Sequence, residues 1–309
     1  MKEPPVLLVG TGAMASLFAA LLSKKGLKVR MLGTWAENIN ALNEKGVHCV
    51  DLNGIESTFP VQATDKTEIC AGSRFAIVLV KSYQTSAAAE RLTSCLAEDG
   101  LALTLQNGLG NDEILERVLG KERVISGVTT IGATLIGPGS VRMGGAGGIT
   151  IGDHAKAQIP AKIFQQAGFE VEIVSDTRSL VWGKLVINAS INPLTALLNI
   201  KNGDLLENQY ALDLMELVAL ESTRVANEAG IDLPYADPVE MVLSVVRRTA
   251  DNYSSMNIDI NRGGPTEIDA INGAVVRVGE DVGVTADYNR TLFLLVKART
   301  REITKLISY

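Results

Sequence analysis

Val6-Leu7-Leu8-Val9-Gly10-Thr11-Gly12-Ala13-Met14-Ala15 carries the strongest signal of how this chain folds. A short apolar run bounded by glycine reads as a buried strand, and the apolar segment to Lys25 as a helix closed by Gly26. Lys28–Leu32 supplies a second strand, so the chain opens on a βαβ unit. A glycine turn of the form GxGxxA between such a strand and helix is a dinucleotide-binding fingerprint. Gly10 makes the tight turn and Gly12 lets the backbone approach a pyrophosphate. Ala15 is small enough for helix to pack on strand, and the helix N-terminus meets the negative charge. Thr11, Ala13 and Met14 complete the cofactor-binding turn. The other reading is a tight βα turn that holds no ligand. Whether the cofactor is NAD or NADP depends on the residue after the second strand, where an acid holds a ribose 2′-hydroxyl and a cation accepts a 2′-phosphate. Leu32-Gly33-Thr34-Trp35 offers neither. The missing acid favours NADP, with Thr34 as a donor to the phosphate, and leaves NAD open.

Outward from this unit, strands and helices alternate. Glu37–Lys45 reads as a helix, and Asn53-Gly54 as a hairpin turn between His48–Leu52 and Glu56–Val61. Phe75–Val80 is apolar throughout, as a strand covered on both faces requires, and Leu101–Gln106 reads as another buried strand. They end in Lys81-Ser82-Tyr83-Gln84 and Asn107-Gly108-Leu109-Gly110-Asn111, each followed by a helix. Ligands of open α/β sheets bind beyond the carboxyl ends of strands. Lys81 and Asn107 occupy such places, where solvated loop residues and helix caps are also common. Val124–Thr130 continues the pattern, leading to Gly132-Ala133, and Thr134–Asp153 reads as a hairpin pair turning at Pro138-Gly139. The helix Ala155–Ala167 and the strand Val171–Val174 end the alternation. Everything afterwards reads helical, so the domains are expected to be 1–177 and 178–309.

The helical half opens on Val181–Asn199, VWGKLVINASINPLTALLN. Lys184, Asn188 and Asn192 recur every fourth residue in this apolar helix and therefore share one face. A cation and two amides in such surroundings are costly unless something polar meets them. Pro193 removes a backbone donor, so a bend or break is expected beside Asn192. Further helices are expected at Asn208–Ala229, from an N-cap at Asp237 toward Asn252, from Gly263 to about Gly279, and at Asn289–Ile307. Glu267 is placed three residues into its helix, on the apolar stripe of Ile271, Ala274 and Val278. A carboxylate there can simply cap the helix; the functional alternative is that it partners Lys184.

Composition bounds the function. The chain has 309 residues, 46% of them hydrophobic and 21% charged, as a two-domain globular enzyme would. A formal charge of −6 offers no basic field for nucleic acid. Cys49, Cys70 and Cys95 lack a CxxC spacing and His48 and His154 are isolated, so neither a disulfide framework nor a metal site is expected. The apolar N-terminal run is too short for a signal peptide or membrane span, and Val181–Ile200 is too polar for one. The expected setting is cytoplasmic.

With these pieces assembled, the chain resembles the ketopantoate reductases. The resemblance rests on Gly10–Ala15, Lys81-Ser82-Tyr83-Gln84, Asn107-Gly108, Thr129–Ala133, Trp182-Gly183-Lys184-Leu185, Asn188, Asn192–Ala196, Ser254-Ser255-Met256 and Thr266-Glu267-Ile268-Asp269. It implies a Rossmann-type α/β domain holding NADPH, followed by an all-α domain like the C-terminal one of 6-phosphogluconate dehydrogenase, which closes over the substrate. The implied reaction reduces the 2-keto group of 2-dehydropantoate to (R)-pantoate, a step of pantothenate and coenzyme A synthesis. Lys184 would be the general acid. Asn188, Asn192, Asn252 and Ser255, with Asn202, would hold the substrate. Asn107 would lie between nicotinamide and substrate, Ala133 would meet the cofactor through backbone, and Glu267 would touch cofactor or substrate and position Lys184. The physical reading agrees, since an ammonium stabilises and protonates the oxygen on which hydride transfer builds charge. Two departures stand out: Thr34 replaces an Arg common in the family, leaving Lys81 as the main cation for a 2′-phosphate, and Gly264 replaces an Arg before Pro-Thr-Glu. A same-fold reductase of another 2-oxo acid and a non-catalytic NADP-binding regulator are the alternatives. A homodimer fits this type of fold.

Overall fold

A computed structural model describes residues 5–300. The chain divides into two compact units, one running through Gln106 and from Asn111 to Thr177, the other taking Asn107–Gly110 and the chain from Arg178 on.

The strands of the first unit are β1 (Val6–Val9), β2 (Val29–Leu32), β3 (Val47–Val50), β4 (Glu56–Phe59), β5 (Gln62–Thr64), β6 (Ser73–Val78), β7 (Leu96–Thr104), β8 (Val124–Thr129), β9 (Gly132–Gly137), β10 (Ser140–Gly145), β11 (Ile149–Gly152) and β12 (Val171–Val174). Its helices are α1 (Ala13–Lys24), α2 (Ala36–Lys45), α3 (Thr67–Cys70), α4 (Thr85–Cys95), α5 (Asn111–Leu119) and α6 (Gln158–Gln166). Eight strands form the main sheet in the order β12-β11-β8-β7-β6-β1-β2-β5. β1 pairs in parallel with β2 on one side and β6 on the other, so the strand order reverses at β1. All four β1 residues are buried. Val6 and Leu8 enter the core that holds Phe18 and Phe164, whereas Leu7 and Val9 enter a second core with Ala88, Ala89 and Leu92 of α4. Alternation along the pleat thus explains why an unbroken apolar run is needed.

The two expected hairpins form, and they join. β3 pairs antiparallel with β4 and parallel with β10, giving a second sheet in the order β4-β3-β10-β9. No short-range signal announces a pairing between His48 and Ser140. Glu56–Val61 does not continue as one strand. Pro60 has no N–H to donate, the ladder stops at Phe59, and Gln62–Thr64 pairs instead with β2 in the main sheet.

The second unit is helical: α7 (Arg178–Leu198), α8 (Gln209–Glu228), α9 (Pro238–Arg248), α10 (Ser255–Asn261), α11 (Asn272–Asp281) and α12 (Asp287–Arg299). Asp237 caps α9 as its sequence indicates, accepting from the Glu240 N–H at 3.0 Å, but the helix ends at Arg248, short of Asn252. α10 was not expected. Ser254 caps it by accepting the Asn257 N–H at 3.1 Å.

Two expectations fail. Of the bend or break expected beside Asn192, the break does not occur: α7 continues through Pro193 to Leu198. The Ala189 carbonyl, deprived of its N–H donor by the proline, accepts instead from Asn272 Nδ2 at 3.1 Å. The helix after Pro265 starts at Asn272, so Glu267 is not in its first turn. The Ala270 and Ile271 N–H groups both donate to the Glu267 carbonyl, at 3.0 and 3.1 Å, closing a turn, and Ile271 at φ −103°, ψ −96° is not helical. The part of the expected last helix beyond Thr300 lies outside the described residues. Among those described, no helix is long and apolar enough to cross a membrane, and no group of three or more His, Cys, Asp or Glu is placed to hold a metal ion.

Candidate active site

The glycine turn sits where the sheet's strand order reverses. The Gly10 N–H donates to the Leu32 carbonyl at 2.7 Å, and Gly10 has φ +128°. A β-carbon there would also lie 3.3 Å from the Leu79 carbonyl, so glycine is required twice over. Gly12 is the N-cap of α1 and offers no side-chain cap. A β-carbon at Gly12 would meet nothing within 4 Å, so the first amides of α1, beginning with Ala13 and Met14, are open to approach. An uncapped helix start behind an open glycine fits a diphosphate. Ala15 is fully buried against the sheet, as its size requires.

A residue that the sequence did not single out holds this turn. Asn38 is fully buried; its Nδ2 donates to the Thr11 carbonyl and its Oδ1 accepts from the Gly139 N–H at 2.5 Å. A lone Asn in an amphipathic helix carries no signal for that task. Gly33 lets the chain pass Thr11, because a β-carbon at 33 would fall 2.5 Å from Thr11 Cγ2. Thr34, next in the chain, is exposed. Arg91 of α4 also reaches this place, donating from Nη1 to the Gly33 carbonyl at 3.2 Å and from Nη2 to the Asp65 carbonyl at 2.5 Å. Helical side chains tilt toward the helix N-terminus, which brings the Arg91 guanidinium back to the carboxyl edge of the sheet. Lys81 is half-buried, its N–H donating to Gln84 Oε1 at 3.3 Å. Gln106 Nε2 bridges the Val80 carbonyl and Thr85 Oγ1, at 2.9 and 2.8 Å, tying together the ends of β6 and β7. Ala133 lies in β9 opposite Met143.

In the helical unit, Lys184 and Asn188 are half-buried and Asn192 is buried. Burial pushes the Lys184 ammonium down to about 8, and Glu267 opposes that fall. Glu267 is only 5% exposed. Helix α10 grips the turn of α7 that carries Asn192. Thr195 Oγ1 donates to Ser254 Oγ at 2.8 Å, and Asn257 Nδ2 to the Thr195 carbonyl at 2.8 Å. Ser254 thus faces the helix, whereas the neighbouring Ser255 is exposed. Asn202 donates its N–H to the Asn252 carbonyl and its Nδ2 to Thr249 Oγ1, both at 2.9 Å, and its buried Oδ1 accepts from no protein group. Asn252 itself is exposed. Asn107–Gly110, though it follows β7 in the chain, packs with this unit. The Leu109 N–H donates to the Ala270 carbonyl at 2.9 Å, and a β-carbon on Gly108 (φ +86°) would lie 2.5 Å from that oxygen. Asn107 therefore begins a loop seated on the turn that bears Glu267.

A glycine turn open to a diphosphate in one unit, and in the other a lysine that burial pushes down to about 8 beside a buried carboxylate, suit a dinucleotide-dependent oxidoreductase. The chain belongs to the ketopantoate reductase family: the model described as "Ketopantoate reductase PanE/ApbA" matches residues 6–156, and that of its C terminal matches 176–300. A 2-dehydropantoate 2-reductase of Archaeoglobus fulgidus is 35% identical over 302 residues, which cover 96% of this chain and 98% of that protein. Among solved structures, a PanE/ApbA family ketopantoate reductase from Ralstonia eutropha JMP134 has a TM-score of 0.90 at 28% identity, covering 96% of this chain and 98% of that one. D-mandelate dehydrogenase, solved with NADH and anilino(oxo)acetate, has a TM-score of 0.87 at 26% identity, with the same coverage.

Proposed function

We propose that this chain is an NADPH-dependent 2-dehydropantoate 2-reductase, its first unit holding the nucleotide and its second the substrate. The observation that carries the reading is Lys184, lowered to about 8 by burial and set against Glu267 on the helix face it shares with Asn188 and Asn192. When bound, the nicotinamide supplies hydride to the 2-keto carbon. The amides of Asn188 and Asn192 orient an anionic substrate without adding charge, with Asn202, Asn252 and Ser255 as further contacts. The Lys184 ammonium stabilises the oxygen that gains charge and passes it a proton; near pH 7 it is both protonated and acidic enough to do so. Glu267 keeps that lysine charged. Asn107, on the loop above the Glu267 turn, orders the substrate from a second side, while Ala133 offers backbone to the nucleotide.

Gly10, Gly12 and the first amides of α1 cradle the diphosphate in this reading. NADPH is favoured over NADH because no acid follows β2 and because Arg91 brings a guanidinium beside Gly33, adding to Lys81. The 26% identical D-mandelate dehydrogenase solved with NADH supports a second reading, a reductase of another 2-oxo acid, as do Thr34 and Gly264.

The test is loss of nucleotide absorbance with 2-dehydropantoate, using NADPH and NADH in parallel, for the wild type and Lys184→Ala. Fast oxidation of NADPH that the substitution abolishes is expected. Turnover of a different 2-oxo acid alone would move the assignment to the second reading, and wild-type rates in Lys184→Ala would remove the general acid.

A further inference from the structure

Asn272 is fully buried at the first position of α11, five residues beyond Glu267. Its Nδ2 donates to the Ala189 carbonyl at 3.1 Å and to Asn289 Oδ1 at 3.0 Å. Both partners are acceptors, which fixes the amide with its nitrogen toward them. Asn289 is held in turn: its Nδ2 donates to Glu221 Oε2 at 2.8 Å and to Ser222 Oγ at 3.1 Å. Glu221 also accepts the Tyr288 and Asn289 N–H groups at the start of α12, at 3.1 and 2.9 Å. The chain of bonds from Glu221 through Asn289 therefore leaves Asn272 little freedom.

What lies at its far end is not an arbitrary carbonyl. In an α-helix the Ala189 carbonyl accepts from the N–H of residue 193, and residue 193 is proline. That carbonyl lies on the turn between Asn188 and Asn192. The segment leading into α11 thus meets α7 twice, through Glu267 at Lys184 and through Asn272 at Ala189.

We propose that Asn272 is a positioning residue: it supplies to Ala189 the hydrogen bond that Pro193 withholds, and so keeps Lys184, Asn188 and Asn192 in register on one face of α7 and Glu267 opposite Lys184. This rests on reading α7 as the substrate-binding helix. Pro193 serves a purpose in the same scheme, since a helix whose own N–H satisfied Ala189 would need no anchor from α11 and would not tie its register to that element.

The rescue design separates this role from plain core packing. Asn272→Leu keeps the branched shape and loses the donor, and Pro193→Ala returns an N–H to the Ala189 carbonyl. Asn272→Leu is expected to raise KM for the 2-oxo acid about tenfold, since small misplacements of substrate-orienting groups carry such factors. NADPH affinity, read by fluorescence titration, stays unchanged. Pro193→Ala/Asn272→Leu should bring KM back, and amide exchange along α7, raised in the single variant, should return to the wild-type pattern. An unchanged KM in Asn272→Leu overturns the proposal, as does a double variant no better than the single one. If Asn272→Leu does not fold, a folded double variant with wild-type KM supports the proposal and an unfolded one overturns it. If the wild type reduces no 2-oxo acid, the functional reading fails, and the exchange pattern still decides whether Asn272 acts through Ala189.

Discussion

Replacing Glu267 with Gln removes a negative charge from beside Lys184 while keeping size and hydrogen-bonding capacity. Burial lowers the Lys184 ammonium to about 8 even though Glu267 pushes the other way. Without that opposition the lysine titrates lower still. An opposite charge within contact range moves a pKa by roughly one to three units. A drop of one unit, worth about 1.4 kcal/mol, cuts the protonated fraction at pH 7.5 from about three quarters to about one quarter. The sign follows from the role of the lysine. In the proposed role of general acid it must carry its proton, so the rate of reduction is full below about 8 and declines as pH rises through that value. In Glu267→Gln the decline begins at lower pH, with the plateau at acid pH largely retained. The assay is kcat for reduction between pH 5.5 and 9.5 at saturating nucleotide and 2-oxo acid, with Lys184→Ala as the variant lacking the limb. A limb that stays at the wild-type pH, or moves upward, would refute the electrostatic account of Glu267.

Gly12→Val fills the open space above the start of α1, and nucleotide titration should show at least a tenfold loss of affinity with little change in Tm; unchanged affinity would mean the diphosphate lies elsewhere. Arg91→Ala should weaken NADPH and 2′,5′-ADP about tenfold and leave NADH almost unaffected, whereas equal weakening of both coenzymes would reduce Arg91 to a brace between the Gly33 and Asp65 carbonyls. Asn38→Ala leaves the Thr11 carbonyl and the Gly139 N–H unpaired in the core, a loss of roughly 1–3 kcal/mol in chemical denaturation accompanied by weaker nucleotide binding. Stability within error of the wild type would show that water satisfies both groups.

Much of the fold was legible because the signals are local. Gly10, Gly12 and the apolar runs at Val6–Val9 and Phe75–Val80 fix a glycine turn and buried strands through backbone conformation and the need to cover both faces of a sheet. Asp237 and Glu240 mark a helix start by a bond spanning three residues. Where the chain misled, the deciding partner was distant. Pro193 reads as a helix breaker until Asn272 is seen to take over its donor, and Glu267 reads as a first-turn residue until the bonds to its own carbonyl show a turn. Nothing in the spacing of Asn38 foretells its link between Thr11 and Gly139, and nothing near Arg91 foretells its reach to Gly33.

The class of fold, the glycine turn and the face shared by Lys184, Asn188 and Asn192 are all local properties, since each follows from periods of two or 3.6 residues and from the conformational freedom of glycine. Packing between distant segments is what carries α7 through Pro193 unbroken, sets Glu267 beside Lys184 from a turn rather than a helix, and seats Asn107 with the helical unit. Those outcomes depend on hydrogen bonds and charges between residues tens of positions apart. A buried carbonyl or ammonium takes whichever partner the packing brings to it, and that partner is not written in its own neighbourhood.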